Sequence, residues 1–164
     1  MTASHPRSAG ESFTEMVQVV LPNDANPLGF ALGGTVMHLI DIAGAIAAHR
    51  HARTTMVTAA VDGLQFLIPI RIGDLIILHA RVTAAFQTSL EVEVEVFSES
   101  LLSGERRRTS VAYLTFVTVE VEGRRPAVPP LLLETDDQRQ KSGEASIRRA
   151  ARLDAKRVVK SSAT

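Results

Sequence analysis

Between Asp24 and Asp62 the chain carries one carboxylate, Asp41, and it sits inside the most apolar stretch of the sequence, residues 31–48. Within that stretch Val36, Leu39, Ile40, Ala43, Ile46 and Ala47 recur at steps of three and four, the spacing that gathers side chains on one face of an α-helix. The pattern predicts a helix from Gly33 to Arg50. His38 and Asp41 interrupt the run, which is too short and too polar for a membrane span, so the helix is expected inside a protein core.

What surrounds such a helix follows from the segments on either side. Met16 to Leu21 is a short β-branched run closed by Pro22, Asn23 and Asp24, as a strand entering a turn would be. After the helix, Met56–Phe66, Leu75–Val82, Leu90–Phe97 and Val111–Val121 all read as strands, separated by turn-forming residues such as Ile72-Gly73-Asp74 and Gln87-Thr88-Ser89. Glu91, Glu93 and Glu95 alternate with valines, which predicts a strand with one wet face. The expected fold class is α+β, an antiparallel β-sheet wrapped around one long central α-helix.

A length of 164 residues with 45% hydrophobic side chains suits one packed core, so a single domain is expected over residues 13–133. Residues 1–12 are polar, lack the apolar centre of a signal peptide and read as a flexible leader. Past Pro126, Pro129 and Pro130, residues 134–164 read as a basic, helix-prone tail that either covers the domain or stays mobile. The 18 basic and 18 acidic residues cancel, which argues against nucleic acid or membrane partners. Cysteine is absent, which removes disulfides, thiolate nucleophiles and Cys-ligated zinc, and fits a cytoplasmic location. His49-Arg50-His51 reads as a helix-end charge cluster, because side chains two apart on a helix diverge; no metal site is expected.

An acid on an apolar helix needs a partner or a cleft. A capped or salt-bridged structural Asp41 is one reading; a reactive carboxylate is the other. Gly33-Gly34 stands at the helix start, where unpaired backbone N–H groups can hold an anion or a polarised carbonyl oxygen. Asn26 lies seven residues before Gly33 and can donate and accept hydrogen bonds, although Asn26-Pro27 is also ordinary turn chemistry. Thr58 and Asp62 are expected to hold the framework.

The ordered set Leu21-Pro22-Asn23-Asp24-Ala25-Asn26-Pro27-Leu28-Gly29, Gly33-Gly34 and Ile40-Asp41 resembles the acyl-CoA hydrolase family of hotdog thioesterases. Thr58-Ala59-Ala60-Val61-Asp62, Phe66, Pro69, Gly73-Asp74, Thr88-Ser89 and Thr115-Phe116-Val117 continue it, over residues 13–133. The resemblance implies a hotdog fold and hydrolysis of acyl-CoA to a carboxylic acid and coenzyme A, without a metal or bound cofactor. It implies a catalytic pair at Asn26 and Asp41 that meets across a homodimer, and often a trimer of dimers. Asp41 would act as general base or nucleophile, and backbone N–H groups at Gly33 and Gly34 would face the oxyanion. Coenzyme A would lie beside Ala59, Ala60, Val61, Thr88, Ser89 and Leu90, with Arg148, Arg149 and Arg152 as candidates for its phosphates.

Two other readings share the scaffold. A 3-hydroxyacyl-thioester dehydratase or hydratase would use His38 with Asp41, but the His-Phe-Pro-Gly pattern of that branch is absent. A non-catalytic acyl-CoA-binding module would keep the pocket and lose the reactive pair.

Overall fold

In the computed structural model, which describes residues 5–162, the element order is β1 (Arg7–Ser8), a 3-10 turn (Ala9–Ser12), β2 (Thr14–Val19), a 3-10 turn (Pro22–Asp24), α1 (Gly33–Ala52), β3 (Met56–Phe66), β4 (Leu75–Ala85), β5 (Ser89–Glu99), β6 (Arg106–Thr118), β7 (Leu131–Leu132) and α2 (Asp136–Ser162). Residues 1–4 of the expected leader and 163–164 of the tail lie outside the described residues. The main sheet is antiparallel in the order β2-β4-β5-β6-β3 and curls around α1, as the hotdog plan requires. β3 is therefore an edge strand.

The core lies between α1 and the inner face of the sheet. Val36, Leu39, Ile40, Ala43 and Ala47 on the helix are buried with Leu78, Val92, Val94, Val96, Leu114 and Phe116 from the strands. Gly44 is what lets the two layers close: a Cβ there would stand 3.2 Å from the Phe116 ring. The opposite side of α1, including Met37 and Asp41, is exposed on the single chain.

Two β-bulges shape β3. Thr58 pairs with Phe116 but Ala60 with Thr115, so Ala59 is an extra residue in the strand. Asp62 pairs with Tyr113 but Gln65 with Val111, which inserts a second extra residue beside Gly63, whose φ of +65° favours glycine. Because side chains alternate between faces, each insertion reverses the parity of everything after it. Thr58 and Phe66 both end up on the inner face; without the second bulge Phe66 would share the outer face with Asp62.

The expected wet face of β5 is not wet. Glu91 and Glu93 are only 2% and 4% exposed, because α2 lies across the outer face of the sheet. The Arg148 guanidinium donates to Glu91 through Nε at 3.0 Å and Nη2 at 2.8 Å, and lies 3.7 Å from the Tyr113 ring centroid. Lys141 reaches Glu93 at 2.7 Å, and Arg81 bridges Glu93 and Glu95. Alternation correctly separated the two faces; it could not tell solvent from a helix whose inward side is cationic.

Residues 7–12, read as part of a loose leader, are also packed. Ser12 is fully buried, its hydroxyl donating to the Ala9 carbonyl and accepting from the Val82 amide. β1 pairs in parallel with β7, where the proline-rich connector returns. That connector is pinned by His51, a fully buried member of the supposed charge cluster, whose Nε2 donates to the Pro129 carbonyl at 2.8 Å. Nδ1 of His51 has no partner among the described residues.

Two predictions follow from these contacts. Arg148→Met strands a buried carboxylate and should destabilise the fold by about 3 kcal/mol in denaturant titrations, with much of the loss recovered by also replacing Glu91 with Leu. Burial lowers the His51 pKa below its ordinary 6.5, outweighing the opposing effect of the Pro129 hydrogen bond. The unfolded chain then binds the extra proton, so this contribution is complete above pH 6.5 and drains away as pH falls through the lowered value. His51→Gln should flatten the fall of Tm with pH in that window.

Candidate active site

The turn before α1 is built around the Asn26 side chain. Its Oδ1 accepts from the backbone amides of Leu28 at 3.0 Å and Phe30 at 3.2 Å, while the backbone N–H of Asn26 donates to the Phe30 carbonyl at 2.8 Å. Among the described residues the Nδ2 amide of Asn26 has no acceptor. Turn chemistry and site chemistry are thus divided between two atoms: the carbonyl oxygen holds the loop, and the NH2 group is left as a donor. The sequence suggested that Asn26 could both donate and accept; folded, it can only donate.

Asn26 opens onto a hollow of about 300 Å³ whose other walls include Phe30, Gly33, Val36, Phe66 and Ile70. α1 starts at the rim of this hollow. The first amide within the helix to find a backbone acceptor is Val36, on the Leu32 carbonyl, so the N–H groups of Gly33, Gly34 and Thr35 are unpaired among the described residues. Nothing lies within 4 Å of the place a Cβ on Gly34 would occupy, which leaves the helix start open to a ligand.

Asp41 lies farther along α1, about 12 Å from Gly33 at the usual rise per residue. Thr58 Oγ1 donates to Asp41 Oδ1 at 2.6 Å, which fixes the carboxylate and leaves its second oxygen uncommitted. Around it is an open trough shared with Ile42, Ala45, Ile46 and His49. Asn26 and Asp41 line different hollows, so one chain does not assemble the pair around a common cavity.

The contact that Thr58, expected to hold the framework, makes with Asp41 has a signal in the sequence. From Asp41 to the end of α1 is about 16 Å of helix, and from there to Thr58 is about 20 Å of chain at full extension, part of it spent in the turn. A tight reversal after Ala52 therefore returns Thr58 alongside Asp41. The other histidines of the helix end stay apart: His49 Nδ1 donates to the Ala45 carbonyl while its Nε2 accepts from the Met56 amide, and His51 faces the connector.

The residues expected near a nucleotide fall on two neighbouring tracks. Ala59, Ala60 and Val61 lie on the β3 edge, Ala59 at the bulge. Thr88 and Ser89 form the β4–β5 turn, where the Thr88 carbonyl accepts from the Thr118 amide and hydroxyl and the Ser89 carbonyl accepts from the Phe86 amide. Leu90, expected beside the nucleotide, is fully buried and offers no surface on the single chain. α2 reaches both tracks. Arg152 Nη1 binds Asp62 Oδ2 at 2.6 Å beside Val61, and the Arg149 guanidinium sits 4.6 Å from the Phe86 ring centroid next to the Thr88-Ser89 turn. Arg148 is committed to Glu91.

A family model described as thioesterase superfamily matches residues 28–104. The human cytosolic acyl coenzyme A thioester hydrolase is 36% identical over 141 residues, 85% of this chain, but the chain spans only 37% of that relative's length. An uncharacterised acyl-CoA thioester hydrolase of Bacillus subtilis is 36% identical over 138 residues, covering 84% of this chain and 80% of the relative. Among solved structures, an acyl-CoA hydrolase from Bacillus cereus superposes with a TM-score of 0.89 at 33% identity, over 97% of both chains. One from Staphylococcus aureus, solved with butyryl coenzyme A, coenzyme A and coenzyme A disulfide, gives 0.84 at 32% identity over 96% of this chain and 99% of that one. The same enzyme has been solved as asparagine-, aspartate- and threonine-to-alanine variants, at positions fifteen and seventeen residues apart in that order. An apo-hexameric acyl-CoA thioesterase gives 0.86 at 34% identity over 92% of this chain and 97% of that one.

Proposed function

The chain belongs to the thioesterase superfamily, alongside the acyl-CoA thioester hydrolases, and we propose on that footing that it hydrolyses acyl-CoA thioesters to a carboxylic acid and free coenzyme A. The observation that carries this reading is the Thr58–Asp41 contact, which holds one carboxylate oxygen and leaves the other free in the trough along α1. The spacing adds support: Asn26, Asp41 and Thr58 stand fifteen and seventeen residues apart, as do the three positions replaced in the Staphylococcus aureus enzyme.

In this mechanism the free oxygen of Asp41 either takes a proton from water, whose oxygen adds to the thioester carbon, or adds to that carbon itself. The carbonyl oxygen gathers negative charge against the unpaired amides of Gly33 and Gly34. Asn26 Nδ2 donates to the water or to the carbonyl and so fixes its approach. Collapse breaks the C–S bond; in the general-base route the proton taken from water passes to the departing thiolate, and in the nucleophile route water then cleaves the acyl–Asp41 anhydride, freeing the carboxylic acid and supplying the thiol's proton.

The separate hollows of Asn26 and Asp41 fit a site shared between two copies. β3 is a long unpaired edge with Val57 and Val61 half exposed, and the α1 face beside it carries Met37 and Ile46 into solvent. Such surface invites a symmetric partner. We take the active unit to be a homodimer and the assembly to be a trimer of dimers, in line with the hexameric neighbours. Nucleotide contacts are assigned to the Ala59–Val61 and Thr88-Ser89 backbones with Arg149, and with the N–H groups of Arg152 that Asp62 does not use. A cytoplasmic site of action is in keeping with the human relative's name, and no described helix is long and apolar enough to cross a membrane.

Asp41→Asn and Asn26→Ala should each reduce thiol release from acyl-CoA by about a hundredfold or more. Mixed refolding of the two variants should restore about a quarter of parent activity, because half the dimers are then mixed and each holds one intact site. No recovery would put both residues in one subunit's site, and an inert parent would remove the hydrolase reading. Thr58→Val should lower kcat by about tenfold and leave KM little changed, as expected for a group that aims the reactive carboxylate.

A further inference from the structure

The hollow beside Asn26 has a composition that selects among the parts of the proposed substrate. Apart from Asn26 and Ser110 its lining side chains are apolar, and Ser110 is only 1% exposed. The carbonyl of Asn26 is already occupied by two backbone amides. The free polar groups at its rim are donors, so the N–H groups of the two amides in the pantetheine arm of coenzyme A would lose their water here with no acceptor to replace it, whereas a hydrocarbon chain loses nothing. Resting on the hydrolase reading above, we infer that this hollow is the acyl subsite and that Phe66 sets how long an acyl chain it accepts.

Phe66 holds that position because of the second bulge in β3, which turns its ring to the inner face opposite Ser110. The ring packs against the start of α1, 3.4 Å from where a Gly33 Cβ would stand, so it forms a wall next to the unpaired amides. It is also 51% exposed, so its removal widens the hollow without excavating the core. Ile68 lines the same hollow. A space of about 300 Å³ admits about ten chain atoms at roughly 30 Å³ for each water-sized group. The substrate class is thus short- to medium-chain acyl-CoA, with carbons beyond about ten left outside.

The test measures kcat/KM on saturated acyl-CoA substrates from acetyl to palmitoyl, using the full chain in its native assembly. For the parent, kcat/KM should climb by up to about fourfold per methylene while the chain is being buried, then level off or fall near ten carbons. Phe66→Ala should move that break to longer chains, and Ile68→Phe should move it to shorter ones. Leu67→Ala, a neighbour that does not line the hollow, should leave the profile where it is. Thermal melts identify a variant that fails to fold, in which case the oppositely directed variant decides. A parent that turns over acyl-CoA while its break is unmoved in the folded Phe66 and Ile68 variants overturns the subsite and leaves the hydrolase reading standing. A parent inert toward every chain length overturns both.

Discussion

Everything in this fold depends on how closely α1 can lie against the sheet. The contact is made by Gly44 on the Phe116 ring, where a methyl group would stand only 3.2 Å from the ring, closer than side chains ordinarily pack. Close approach lets a helix with few large side chains fill the sheet's curve, and Ala43, Ala47 and Ala48 are completely buried as a result. The same approach sets the distance from α1 to β3 at which Thr58 can reach Asp41.

The strand next to that helix carries a second kind of information. In a regular strand, side-chain direction is a matter of odd and even, and β3 breaks this rule twice. Thr58, before the first bulge, and Phe66, after the second, face inward, whereas Asp62 between them faces outward to meet Arg152 from α2. One strand thereby contributes to the setting of the Asp41 carboxylate, to the apolar hollow and to the anchoring of the C-terminal helix.

These features differ in how visible they are in the sequence. The three- and four-residue period of α1 and the β-branched runs of the sheet reflect local preferences, and Gly33 and the Met56–Phe66 limits of β3 were both legible. Asp41 stood out because an isolated acid among alanines and isoleucines is costly unless something answers it. What answers it, Thr58, is a tertiary fact that needed the path lengths of helix and strand to be compared. The burial of Glu91 and Glu93 was further out of reach. A glutamate–valine alternation looks the same whether water or an arginine-bearing helix covers the polar side, and α2 is more than forty residues away in sequence. His51 misled for a similar reason, since its neighbours Arg50 and Arg53 mark a helix end while its own ring lies beneath the proline connector.

The two faces of the sheet are covered by different forces: oil-like contact toward α1, and charge toward α2, where Lys141, Arg148 and Arg152 meet Glu93, Glu91 and Asp62. These forces age differently with heat. The cost of stripping water from ions falls as temperature rises, while the gain from burying hydrocarbon levels off. Warming therefore shifts the balance of cohesion outward, from the α1 side of the sheet to the α2 side, so that the helix least recognisable as part of the core is the one whose hold weakens least on heating.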